Sequence, residues 1–144
     1  MQRRTLGKSI SVLYRREQRY VNQKLKEYGL GYSDYNFLMY LSANEGCSQK
    51  EMSQAMAVDE ALTVRVVRKL QKQGYIIRRK APENARRYEL YLTEEGKELA
   101  PKLRCCLTSW WDQVTEGMPW EEQEVLIQGM EILEKQSERL MEGL

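Results

Sequence analysis

Nine lysines and arginines (65, 68, 69, 72, 78, 79, 80, 86 and 87) fall between Glu60 and Arg87, against only two acids, Glu60 and Glu83. That stretch carries +7, whereas the whole chain of 144 residues carries +2, so everything outside it sums to −5. Positive charge gathered in one place on a nearly neutral chain is the chemistry of meeting a polyanion there. The residue types divide the work. Arg65 and Arg68 carry guanidinium forks that can pair with a guanine edge or clamp a phosphate, with Lys69 beside them. Ala61, Leu62 and Val64 are small or apolar enough to let a helix sink toward base edges and touch thymine methyls. Ser48 and Lys50 stand where a helix N-terminus would meet phosphate. Arg86 and Arg87 fall together in a turn, and arginine is drawn into a narrow minor groove by its negative potential. Of the two, Arg86 is the stronger candidate, because Arg87 adjoins Tyr88 and can face back onto the strand.

Other chemistries find little support. Histidine is absent, which removes the usual imidazole base and a common metal ligand. No nucleophile–base constellation is visible, so no catalytic residue, metal or cofactor is assigned and an enzyme is not expected. Cys47, Cys105 and Cys106 are odd in number and two are adjacent, so no disulfide framework follows. Plain packing is the expected role of all three. No apolar run approaches the roughly 20 residues that span a bilayer. The start, MQRRTLGKSISVLYRRE, lacks the apolar core and cleavage site of a signal peptide. A cytoplasmic protein without membrane contact is expected.

The elements that must hold the basic residues can be read from spacing. A first helix over 7–28 carries Ile10, Leu13, Tyr14, Val21, Leu25 and Tyr28 on one stripe and stops at Gly29. A second covers 33–44, with Ser33 as N-cap or Gly31 starting it earlier, and Tyr35, Leu38, Met39 and Leu41 inward. Ser48-Gln49-Lys50-Glu51 matches the capping box of a third, short helix over 48–56, with Met52, Ala55 and Met56 inward. Asp59 caps a fourth helix, whose inner face is Thr63, Val66, Val67 and Leu70 and which ends before Gly74. Tyr75–Lys80 and Tyr88–Leu92 read as paired strands, joined by a turn over 81–86 too long for a tight hairpin. Thr93 caps a helix over 93–116 in which Pro101 marks a kink or a late start. After the break at Gly117-Met118-Pro119, a last helix over 120–142 turns Val125, Leu126, Met130, Leu133, Leu140 and Met141 inward. A two-stranded ribbon is not stable alone and must lie on the helices. The result is a mainly α fold with a small β-wing: a winged helix-turn-helix lobe on a helical frame.

Several of these residues together carry a resemblance. They are Leu25-Lys26-Glu27-Tyr28-Gly29-Leu30, Leu38 and Leu41, Ser48-Gln49-Lys50-Glu51-Met52, Leu70-Gln71-Lys72-Gln73-Gly74-Tyr75-Ile76-Ile77-Arg78, and Arg86 followed by Leu92-Thr93-Glu94-Glu95-Gly96. The chain resembles the MarR (multiple antibiotic resistance regulator) family of transcription factors over about residues 8–135. The resemblance implies a homodimer whose terminal helices interlock (1–30 and 97–144) and whose winged lobe (31–96) reaches double-stranded DNA. It implies a sequence-specific regulator, a repressor, on a pseudo-palindromic operator, released by a small aromatic or anionic effector. Tyr14, Tyr35, Tyr40 and Trp110 are the candidates to line the effector cleft, although aromatics at helical spacing more often serve packing. Two departures matter. The wing positions where the family usually has acids hold Ala81 and Asn84, which puts wing rigidity in question. Val64 stands where the family often has threonine. The rival reading is a winged lobe used as a protein-interaction module, antirepressor-like, without an operator of its own.

Overall fold

The computed structural model describes residues 3–144, with side chains from Thr5 onward, so Met1 and Gln2 of the expected 1–30 segment lie outside the described residues. The order is α1 (Arg3–Leu25), a 3-10 turn (Lys26–Tyr28), α2 (Tyr32–Ala43), α3 (Gln49–Ala55), α4 (Glu60–Lys72), β1 (Ile76–Ala81), β2 (Asn84–Leu92), α5 (Glu94–Val114) and α6 (Trp120–Glu142). The chain divides after Trp110, within α5, into two compact units.

In the first unit α1 begins before residue 7, and its exit is fixed by Gly29, which adopts φ +66°. Gly31, not Ser33, precedes α2: its N–H donates to Asp34 Oδ2 at 2.8 Å, and the N–H of Tyr32 donates to Asn22 Oδ1 at 2.8 Å. The carboxylate thus caps from inside the first turn, a role that residue preference at the cap position does not reveal. The core joins Val21 and Leu25 of α1, Phe37, Leu38 and Leu41 of α2, Met52 of α3, Val66, Val67 and Leu70 of α4, Ile76, Leu90 and Leu92 of the ribbon, and Leu99 and Leu103 of α5. Ile10, Leu13 and Tyr14 continue the α1 stripe but are exposed. Ala55, expected inward, is also exposed, and Ser53 is buried in its place.

The ribbon is antiparallel, regular from Ile76 opposite Leu92 to Lys80 opposite Tyr88. It then shifts, so that Ala81 faces Asn84 across Pro82-Glu83. β1 is therefore shifted by one residue from the expected strand and β2 starts four residues earlier than expected, while Ala85, Arg86 and Arg87 bulge out of the ladder. The free edge of β2 is taken up by the segment before α3: Gly46 N–H donates to Leu90 O at 2.8 Å, and Leu90 N–H to Cys47 O at 2.9 Å. Thr93 bolts the ribbon to α5. Its hydroxyl donates to Gly74 O at 2.6 Å and accepts from Gly96 N–H at 3.1 Å. Gly96 is demanded by this approach, because a Cβ there would lie 2.1 Å from Tyr75 O. α5 starts at Glu94 and runs through Pro101 as one helix, so the late start does not occur.

The second unit, Trp111–Leu144, holds the end of α5, a turn at Gly117 (φ +81°) and α6. The expected inward stripe of α6 is not inward. The helix has no buried residue, and Val125, Leu126, Met130, Leu133, Leu140 and Met141 are all exposed. Periodicity specifies an apolar face; it does not specify that the same chain covers it.

Candidate nucleic-acid interface

The fourth helix is held by its ends. Asp59 Oδ1 accepts the N–H of Leu62 at 2.7 Å, and Gly74, one residue past the Gln73 cap, takes φ +80°. Between these stops the helix has two characters. Thr63, Val66, Val67 and Leu70 are 0–4% exposed, whereas Ala61, Val64, Arg65 and Arg68 are exposed and, with Glu60, rim an open hollow. Among the described residues Arg65 and Arg68 form no ion pair, so two guanidinium groups face water on a surface otherwise small and apolar. Leu62 is half-buried against the core rather than offered to a groove.

A buried polar contact sets the angle between α3 and α4. Ser53 Oγ and Thr63 Oγ1 lie 2.6 Å apart, and Ser53 also donates to Gln49 O at 2.9 Å. Thr63 therefore supplies the shared proton. At the other end of α4, Lys69 Nζ reaches the buried Asp34 carboxylate at 2.5 Å, and Gln73 Nε2 donates to Gly29 O at 3.1 Å. The ammonium of Lys69 is thus committed to the base of α2. A cavity of about 310 Å³ opens beside this pair, lined from α1 by Gln18 and Asn22 and from α4 by Leu62, Arg65, Val66 and Lys69.

The capping box forms as expected: Glu51 N–H donates to Ser48 Oγ at 3.1 Å, and Glu51 Oε2 accepts from Ser48 N–H at 3.2 Å. Lys50 beside it is exposed, with no ion pair among the described residues. On the wing, Asn84 Oδ1 accepts the backbone N–H of Arg86 at 3.0 Å, so the amide does locally what it cannot do by charge. Arg86 is exposed and forms no ion pair among the described residues, while Arg87 is half-exposed, its Nη2 2.7 Å from Glu51 Oε1 and its Nη1 4.0 Å from Glu83. Arg78 stacks over Tyr88 at 4.1 Å and Arg79 over Tyr91 at 5.3 Å. The basic residues thus sort into outward cations (Lys50, Arg65, Arg68, Arg86) and cations used inside the lobe (Lys69, Arg78, Arg79, Arg87).

The four aromatic candidates make different contacts. Tyr14 meets Tyr32 edge-on at 5.5 Å and Tyr32 meets Tyr35 at 6.4 Å, which links two of them through a third ring. Tyr35 is buried, and that burial pushes its hydroxyl up to about 12. Tyr40 is half-buried elsewhere, with its carbonyl accepting from Asn44 Nδ2 at 2.9 Å. Trp110 packs on Tyr20 at 5.2 Å, and its indole N–H is buried without a hydrogen-bond partner among the described residues. Cys47 is buried, and that burial pushes its thiol pKa up.

Comparison with known proteins converges on one family. A sequence model described as "MarR family" matches residues 28–87, the segment that holds α2, α3, α4 and most of the wing. Over these residues the chain matches the MarR family. The chain is 26% identical over 133 residues to the HTH-type transcriptional regulator BilQ of Clostridioides difficile, covering 92% of itself and 90% of that relative. Its fold matches a MarR transcriptional regulator from Methanosarcina mazei with a TM-score of 0.90 at 29% identity, over 96% of this chain and 99% of that one. It also matches a MarR-family regulator from Listeria monocytogenes, solved in complex with a 26mer DNA (TM-score 0.87, 21% identity, 92% and 88% covered). Sequence reasoning found the cap, the stops and the outward arginines. It missed Asn22, Asp34, Ser53 and Gln73, whose partners are 10 to 44 residues away and meet them only once the helices pack.

Proposed function

We propose that this chain is a DNA-binding transcriptional repressor, acting in the cytoplasm as a homodimer on a pseudo-palindromic operator that it releases when a small aromatic or anionic effector binds. The observation that carries the reading is the partition of α4: a fully buried inner face, and an outer face of small residues with two guanidiniums that no acid neutralises. One helix fits a major groove about 12 Å wide, and its small residues bring Arg65 and Val64 to base edges. Arg68, Lys50 and the α3 start at Ser48 take phosphates, and Arg86 enters the minor groove. Ala61 sits at the point of closest approach. Leu62 and Lys69 act from behind, through packing and the Asp34 pair.

The dimer is supported by α6. Leu126, Leu133 and Leu140 recur every seven residues, all at least 46% exposed, on a helix with nothing buried. Covering such side chains contributes about 1.5–3 kcal/mol each, which a second copy can supply. The effector reading is supported by the unpartnered Trp110 indole N–H, which needs an acceptor, and by the linked rings of Tyr14, Tyr32 and Tyr35. Selection of bound duplexes from a random pool tests the DNA reading. Enrichment of an inverted repeat with half-sites about 10 bp apart is expected. No enrichment at low salt would point instead to a protein-interaction module.

A further inference from the structure

Ala81 and Asn84 stand at the wing positions where the resemblance places acids, and one carboxylate outside the wing reaches it. Glu51 of α3 uses Oε2 to accept the N–H of Ser48 at 3.2 Å and Oε1 to accept Arg87 Nη2 at 2.7 Å. The other nitrogen of the same guanidinium lies 4.0 Å from Glu83, in the turn of the wing. Arg87 thus spans from the wing turn to the capping box of α3. The residues it would hold are the ones with least support of their own, because Ala85, Arg86 and Arg87 lie outside the regular ladder, which ends at Lys80 opposite Tyr88. Locally, the Asn84 side chain accepts the Arg86 N–H at 3.0 Å.

We propose that Arg87 is a positioning residue rather than a DNA contact, and that Glu51–Arg87 is a latch aiming the wing tip relative to the α3 N-terminus. The latch couples two contact points: Arg86 on the wing and Ser48 with Lys50 on α3 stay in register because one carboxylate fixes both. It adds to the longer Glu83–Arg87 pair within the wing. Its use in operator binding rests on the DNA reading above; its existence in the free protein does not.

Electrostatics and the latch predict opposite signs for one substitution. Glu51→Gln keeps the capping box, where glutamine serves as well as glutamate, and removes a negative charge beside the phosphate path. Charge alone would therefore tighten DNA binding. The latch predicts weaker binding, about two- to fivefold, the range of an exposed ion pair.

The test uses the full chain as wild type, Glu51→Gln, Arg87→Gln and the double variant. Hydrogen exchange on the free protein comes first, and faster exchange at the amides of residues 84–87 in each single variant is expected. Unchanged exchange there overturns the latch whether or not DNA binds. Anisotropy titrations with a duplex selected by the wild type follow, at several salt concentrations. The expected result is loss in both single variants, no further loss in the double, and an unchanged salt slope for Arg87→Gln. Tighter binding by Glu51→Gln, or a slope reduced by about 0.9 in Arg87→Gln as for a lost phosphate contact, overturns the proposal. Changed exchange with no duplex bound by the wild type would instead retire the DNA reading and leave the latch standing.

Discussion

Removing the hydroxyl shared between α3 and α4 isolates what holds the recognition helix at its angle. Ser53 and Thr63 are 3% and 0% exposed, and their oxygens are 2.6 Å apart. Thr63→Val keeps the shape of the side chain and leaves Ser53 Oγ without a donor, although Ser53 still donates to Gln49 O. A buried acceptor stripped of its partner costs about 1–2 kcal/mol. In Ser53→Ala the Thr63 hydroxyl has a substitute acceptor, Asp59 O, but at 3.4 Å. That variant should lose about 1 kcal/mol. Removing both hydroxyls leaves neither orphaned, so the double variant should lose less than the sum, with a coupling of about 1 kcal/mol. Equilibrium urea unfolding at one fixed chain concentration measures all four corners, the fixed concentration excluding shifts from association. Additive losses, or single losses below about 0.3 kcal/mol, within the scatter of independent sites, would show that apolar packing alone sets the angle.

Three further outcomes follow from the same geometry. Gly96→Ala should lower stability by about 1–3 kcal/mol or more, because the added carbon would lie 2.1 Å from a backbone oxygen that already accepts Thr93 N–H; a melting temperature unchanged within a degree would contradict that approach. Burial raises the Glu17 carboxyl above its usual 4.5, so its contribution to stability is fully present below that pH and is lost as pH rises through the folded-state value. Glu17→Gln should therefore be more stable than wild type at pH 7, with the difference vanishing near pH 4; a constant difference across that range would contradict burial as its cause. Arg65→Ala should cost about 1–3 kcal/mol of DNA binding and relax preference at one base position, whereas uniform loss over all sequences would mark a phosphate contact.

Legibility followed the range of each interaction. The inner face of α4 was readable because Thr63, Val66, Val67 and Leu70 repeat at helical spacing between an aspartate cap and a glycine stop, all within sixteen residues. The Ser48–Glu51 box was readable for the same reason. Gly96 was visible as part of a motif, but its cause, the carbonyl of Tyr75 pressed against it, needed the packed ribbon. Asp34 gave no signal, since its partner Lys69 is 35 residues on and looked like another outward cation. The extra length of β2 was hidden by the bulge at residues 85–87, where alternation breaks although the chain stays extended. The α6 stripe was correctly placed on its helix and wrongly turned inward, because an apolar period cannot say whose surface it meets. The ring contacts Tyr14–Tyr32–Tyr35 and Tyr20–Trp110 were not legible, because ring type carries no information about which helix faces another.

Whether α4 reads sequence is measured most directly by the affinity gap between a selected duplex and a scrambled one of equal length. Titrations of the purified chain against both, across salt, should show the selected duplex bound about a thousandfold or more tightly, with both affinities falling as salt rises. Equal affinity for the two duplexes at every salt concentration would contradict sequence reading by α4, leaving a basic lobe that holds phosphates and reads nothing.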